Sequence, residues 1–211
     1  MERKQPASDT ATDPRPVTGI KGTFRRYLVI LGMFAAVAWG LEILDSLVAG
    51  GKLDALGIKP RTWGGLKGIV MAPFLHSGFG HLVGNTIPFF ILGFLVLASG
   101  RGRFAAVSIT AIVVSGAGVW LLGGENTVHL GASGLIFGYL GYLLFRGYFE
   151  RSLTALGVAI VVGIFYGGML FGLLPGMRGI SWLGHVFGFL GGALAAWGVS
   201  EASGKRAATT P

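Results

Sequence analysis

Ser133 and His185 are the residues of this chain best placed to do chemistry. Ser133 lies in Gly131-Ala132-Ser133-Gly134 at the mouth of a long apolar run, and His185 is the single histidine of another such run. A hydroxyl and an imidazole within hydrogen-bond reach act as nucleophile and general base, and acyl transfer is the chemistry such a pair performs. Ionisable and polar groups inside apolar spans are costly, which marks them as functional candidates. A third group, His76, His81 and Asn85, precedes and opens a further apolar run. His81 and Asn85 are four residues apart and share one helical face, from which their N–H groups could donate to a developing oxyanion. His76 and His81 could instead ligate a metal, although no carboxylate or cysteine accompanies them. The blander readings stay open at this point: Ser133 as a helix cap among small packing residues, and His185 as a buried histidine satisfied by a carbonyl.

The elements that must position these groups are six apolar stretches, at about 27–48, 82–99, 104–122, 130–149, 153–174 and 180–199. Each is near the roughly 20 residues of a spanning helix. The composition agrees: 52% of residues are hydrophobic and 12% charged, against about 25% charged in soluble domains. The chain is expected to be an all-α membrane protein. Many of its 38 glycines lie within the apolar runs, where they let backbones approach closely. Gly134, Gly138 and Gly141 clear one face of the fourth run, and Gly184, Gly188 and Gly192 recur every four residues on the sixth. Packing those faces together would carry His185 to Ser133. Ser133 is placed about three residues into its helix, a shallow depth of roughly 5–10 Å.

The remaining composition restricts the chemistry. The absence of cysteine excludes disulfides, thiolate metal sites and a cysteine nucleophile. The net charge of +8 reads as membrane topology. Lys21, Arg25, Arg26, Arg101, Arg103, Arg146, Arg151, Lys205 and Arg206 fall on one side of six spans, which places both termini in the cytoplasm. No basic stripe interleaved with aromatics suggests a nucleic-acid partner. The segment 50–80 carries Lys52, Lys59, Arg61 and Lys67 beside Trp63, and is expected to be a partly helical loop at the opposite interface. Glu42 and Asp45 are expected at the exit interface of the first span. The domain reading is a disordered cytoplasmic tail at 1–22, a six-helix membrane domain at 23–200 and a short cytoplasmic tail at 201–211.

The ordered set H-x-x-x-x-H-x-x-x-N from His76, G-x-S-G around Ser133 and H-x-x-G-x-x-x-G from His185, on the second, fourth and sixth spans, resembles the rhomboid intramembrane serine proteases. The resemblance covers residues 25–200. It implies a six-transmembrane-helix rhomboid-like bundle with a large interfacial loop between the first and second spans. It implies a serine endopeptidase in which Ser133 is the nucleophile and His185 the general base. The sequence agrees in placing no Asp or Glu within spans two to six, which favours a dyad over a triad. By the same resemblance His81, Asn85, Gly131 and the Ser133 amide form the oxyanion hole. His76, Gly134 and Gly188 support the site, and Phe137 stands where many members carry a tyrosine that stacks on the histidine. No metal or other cofactor is implied. The implied partners are single-pass transmembrane protein substrates within the lipid bilayer, and the implied location is a bacterial plasma (inner) membrane. A rhomboid-like protein that binds client helices without cutting them is the alternative, but such proteins lose Ser or His. A transporter would need polar residues along the full depth of several spans.

Overall fold

The computed structural model describes residues 19–176 and 179–209. Among these the regular structure is helical, save an isolated antiparallel bridge between Ile58 and His129. Seven α-helices follow in order: α1 (Ile20–Leu44), α2 (Gly65–Met71), α3 (Phe79–Ala98), α4 (Arg101–Leu122), α5 (Ser133–Glu150), α6 (Leu153–Tyr166) and α7 (Trp182–Thr209). A π-turn, Asp45–Ala49, extends α1, and a 3-10 segment, Gly167–Leu173, extends α6. The region between α1 and α3 holds α2 and two 3-10 turns, Leu53–Leu56 and Ala72–Phe74. Residues 1–18 of the expected N-terminal tail lie outside the described residues, and α1 already begins at Ile20. At the other end α7 continues to Thr209 through the segment expected as a tail.

Six of the helices are long, and five of them, α1, α3, α4, α6 and α7 with their extensions, are long and apolar enough to cross a membrane. The exception is α5, the carrier of Ser133. Its residues 134–143 are all buried, so protein rather than lipid surrounds it and its outer faces need not be uniformly apolar. It can therefore hold Tyr139 and Tyr142, whose hydroxyls reach Ser108 at 2.9 Å and Ser99 at 3.2 Å. Glu150 is the last residue of α5 rather than part of a loop. Its two carboxylate oxygens meet Arg103 of α4 at 2.8 Å and Arg146 at 3.0 Å, which locks that end of the bundle.

The glycine faces read from the sequence do meet. A Cβ placed on Gly188 would overlap the Gly134 carbonyl oxygen, and one on Gly192 would overlap the Gly138 carbonyl oxygen. A Cβ on Gly141 would overlap the Phe189 carbonyl. Helix α4 closes the third side through Ala111 against Gly138 and Ser115 against Gly134. The Ser115 hydroxyl donates to the Gly184 carbonyl at 2.8 Å, a buried bond that ties α4 to α7. Without a hydrophobic driving force between helices in lipid, such close packing and buried hydrogen bonds are what hold them together.

Gly188→Ala should therefore destabilise the bundle by about 1–3 kcal/mol, the usual range for overpacking. Gly198→Ala, on the same helix with open space around it, should be neutral or stabilising by up to about 1 kcal/mol through helix propensity. Thermal inactivation of the purified protein in detergent distinguishes the two.

Candidate functional site

Ser133 is the first residue of α5, not the third or fourth as its apolar context suggests. The reason is Gly131, which turns the chain at φ 111°, a conformation open to glycine and strained for other residues. Residues 130–132 thus form a turn that delivers Ser133 to the helix N-terminus, where the first backbone N–H groups have no intrahelical acceptor. The turn is pinned from the loop between α1 and α3. The Gly131 amide donates to the Ala72 carbonyl at 2.8 Å. The Ala132 amide donates to His76 Nε2 at 3.4 Å. One step earlier, Ile58 and His129 exchange backbone hydrogen bonds of 2.8 and 3.0 Å. His76 therefore supports the serine turn directly, through its ring.

A cavity of about 700 Å³ gathers the groups singled out from the sequence: its lining includes Ser133, His185, His81, Asn85 and Phe137. His76 lies behind it, with its ring 5.1 Å from that of His81. Gly131 closes tightly on the α3 face, since a Cβ there would stand 2.7 Å from His81 Cε1 and 3.5 Å from Asn85 Nδ2. Asn85 is 8% exposed. Its Nδ2 is one of three buried side-chain atoms without a hydrogen-bond partner among the described residues, with His76 Nδ1 and Glu42 Oε2. An unsatisfied buried donor costs about 1–3 kcal/mol and calls for an explanation.

The histidine of α7 is fixed on two sides. Its Nδ1 lies 2.9 Å from the Gly172 carbonyl, in the 3-10 extension of α6. A carbonyl only accepts, so Nδ1 carries the proton and the neutral ring leaves Nε2 as a bare acceptor. The Phe137 ring stacks on the imidazole at 4.1 Å and 9°. No hydrogen bond joins Ser133 to His185 among the described residues, although both line the same cavity. Such bonds are often long in substrate-free sites and tighten on binding.

Gly172 was not legible in the sequence. The signal available is the glycine-rich end of the fifth apolar run, Gly167-Gly168 and then Gly172, where the α-helix gives way to 3-10 geometry. Nor did the sequence place His129 and Ser181, whose Nδ1 and hydroxyl meet at 2.7 Å and clip the residue before α7 to the serine turn. Glu42 and Asp45 also differ from expectation. They are 3% and 6% exposed and face the protein, not the interface. The Asp45 carboxylate accepts the Leu53 amide at 2.9 Å, so the end of α1 anchors the loop that follows.

Burial, with His81 beside it, pushes His76 down to about 4 from an ordinary 6.5. The neutral ring is the form that accepts the Ala132 amide. The unfolded chain binds the proton more readily, so stability is complete above about pH 6.5 and is lost as pH falls toward about 4. The melting temperature should fall across that window, and His76→Gln should flatten the slope. Melting curves of both proteins at pH 7.5, 6, 5 and 4 check this.

Comparison with known proteins agrees with the motif reading. The model of the Rhomboid domain matches residues 63–202, more than half of the chain. The uncharacterized protein Rv1337 of Mycobacterium tuberculosis is 39% identical over 210 residues, covering 96% of this chain and 84% of that protein. The rhomboid protease GluP of Bacillus subtilis is 34% identical over 186 residues, covering 84% of this chain and 35% of that protein. The putative rhomboid protease YdcA of the same organism is 28% identical over 141 residues, covering 66% of this chain and 68% of that protein. A family model spanning the serine turn, the α3 face and the histidine helix, together with relatives along nearly the whole chain, makes this chain a member of the rhomboid family.

Proposed function

We propose that the protein is an intramembrane serine endopeptidase that hydrolyses peptide bonds in transmembrane segments of other membrane proteins. The observation that carries this reading is the His185 ring. It is stacked on Phe137 and anchored at Nδ1 by the Gly172 carbonyl, which leaves Nε2 bare in a cavity that it shares with Ser133.

In the proposed reaction Nε2 takes the proton of the Ser133 hydroxyl as Oγ attacks the scissile carbonyl, and later returns it to the leaving amine. The Gly172 carbonyl does the orienting that a carboxylate does in a triad, at lower desolvation cost. The oxyanion develops toward the N-terminus of α5, where the Ser133 amide has no helical acceptor. Asn85 Nδ2 supplies a second donor, and its missing partner in the free protein is then the vacancy that the oxyanion fills. His81 stands on the same side. In the tautomer whose Nδ1 accepts from the Ser77 hydroxyl, 3.4 Å away, its Nε2 carries a proton and faces the Gly131 turn. Water then releases the acyl group. The cavity, at about 700 Å³, has room for an unwound stretch of substrate together with that water. Substrates whose spans unwind readily, with Gly, Ala or Pro near the cut, suit such a site.

The basic residues flanking the helices support a reading in which both termini lie in the cytoplasm and the loop between α1 and α3 at the opposite face of a bacterial plasma membrane. The membrane domain at 23–200 is the unit that carries the activity. A client-binding role without cleavage fits less well, because both reacting groups are retained and share one cavity.

A fluorophosphonate probe should label the parent protein and not Ser133→Ala, and Ser133→Ala or His185→Ala should abolish cleavage of a model transmembrane substrate. Cleavage by Ser133→Ala at the parent rate removes the assignment. Asn85→Ala should lower kcat by about 100- to 1000-fold, the loss typical of one oxyanion donor, with KM little changed.

A further inference from the structure

We propose that Asp54 is a specificity-determining residue that favours substrates carrying a Lys or Arg side chain beside the scissile bond. The inference rests on the protease reading above and deepens it.

Asp54 lines the same cavity as Ser133 and His185, and it is the only Asp, Glu, Lys or Arg among the described lining residues. It stands on the 3-10 turn Leu53–Leu56, which the Asp45 carboxylate fixes by accepting the Leu53 amide at 2.9 Å. Its own carboxylate makes no ion pair and accepts no hydrogen bond among the described residues. Behind it lie Glu42 and Asp45, also without a cationic partner among the described residues, and one oxygen of Glu42 is buried with no hydrogen bond at all. Burial first, and then the repulsion of Asp45 and Glu42, holds the Asp54 carboxyl above its ordinary range. His76, which lies behind the cavity near these carboxyl groups, does not compensate, because it is neutral above about pH 4.

One wall of the cavity thus presents the Asp54 carboxyl, with those of Glu42 and Asp45 buried behind it and no cation among the described lining residues. Like charges gathered without counter-ions are unfavourable, and a guest ammonium or guanidinium group relieves that repulsion. Opposite charge in a partly desolvated cleft is worth several-fold in binding even where water still reaches it. The long apolar stem of Lys or Arg can lie along the cavity wall while its head reaches Asp54. A substrate carboxylate at the same place meets repulsion from all three groups.

The test uses the full chain in proteoliposomes and a matched set of single-span substrates. The set differs only by Lys, Gln or Glu, placed in turn at each of the four positions on either side of the cut. The parent should show at one or two positions a kcat/KM about 10-fold higher for Lys than for Gln, with Glu lower still. Asp54→Asn should bring the Lys-to-Gln ratio close to 1, and Asp54→Lys should invert the order in favour of Glu. Because the readout is a ratio within one preparation, and the inversion is a gained preference, partial misfolding does not imitate it. An active parent that cuts the three substrates equally at every position overturns the role of Asp54 alone, as does a Lys preference that survives in Asp54→Asn. A parent that cuts none of them and resists the fluorophosphonate probe overturns the protease reading, and this inference with it.

Discussion

Helices α5 and α7 meet backbone to backbone, and the geometry of the site is inherited from that contact. Gly134 and Gly138 present carbonyls to Gly188 and Gly192 with no room for a side chain between them. The approach sets the height of His185 relative to Ser133, because both residues sit near the starts of their helices. It also leaves α4 free to fill the third side with Ala111 and Ser115, small residues that follow the same rule. In lipid this arrangement has no hydrophobic substitute. The helices hold together through shape and through polar groups that find partners only in the assembled state.

The loop between α1 and α3 is the second constraint. A turn bent at Gly131 exposes backbone amides that the bilayer cannot hydrate. Ala72 and His76 accept two of them, and Ile58 pairs with His129 just before. The loop itself is held down by Asp45 at the end of α1. A chain of backbone-directed bonds thus runs from the first helix to the residue before Ser133, so the first helix takes part in placing the serine although it contributes no atom to the cavity wall.

What the sequence displayed followed from periodicity. His81 and Asn85 share a face because they are one helical turn apart, and the glycines of α5 and α7 mark a contact because they recur at that spacing. The stack of Phe137 on His185 needed only a ring at that position. What it concealed had no side-chain signature. A carbonyl acceptor such as that of Gly172 belongs to the backbone of every residue. The helix start at Ser133 was masked because Leu130 and Ala132 are apolar and continue the hydrophobic run. Glu42 and Asp45 read as interfacial because hydropathy along a helix does not tell which face turns inward. The same averaging sets α5 apart from the other long helices: its surroundings are protein, and its composition reflects that.

The anchor of His185 belongs to the outermost part of the bundle. The helix whose 3-10 end carries Gly172 buries less of itself than any other long apolar helix among the described residues, and Phe165 and Phe171 stand 78% and 69% exposed toward its surroundings. Under the proposed chemistry, the tautomer of the base is therefore set by an element whose outward face is apolar and exposed. The Gly172 acceptor and the glycine contact between α5 and α7 involve different residues, so losing the first does not require unpacking the second. Under the proposed chemistry, the orientation of the base and the integrity of the bundle thus rest on different layers of the molecule.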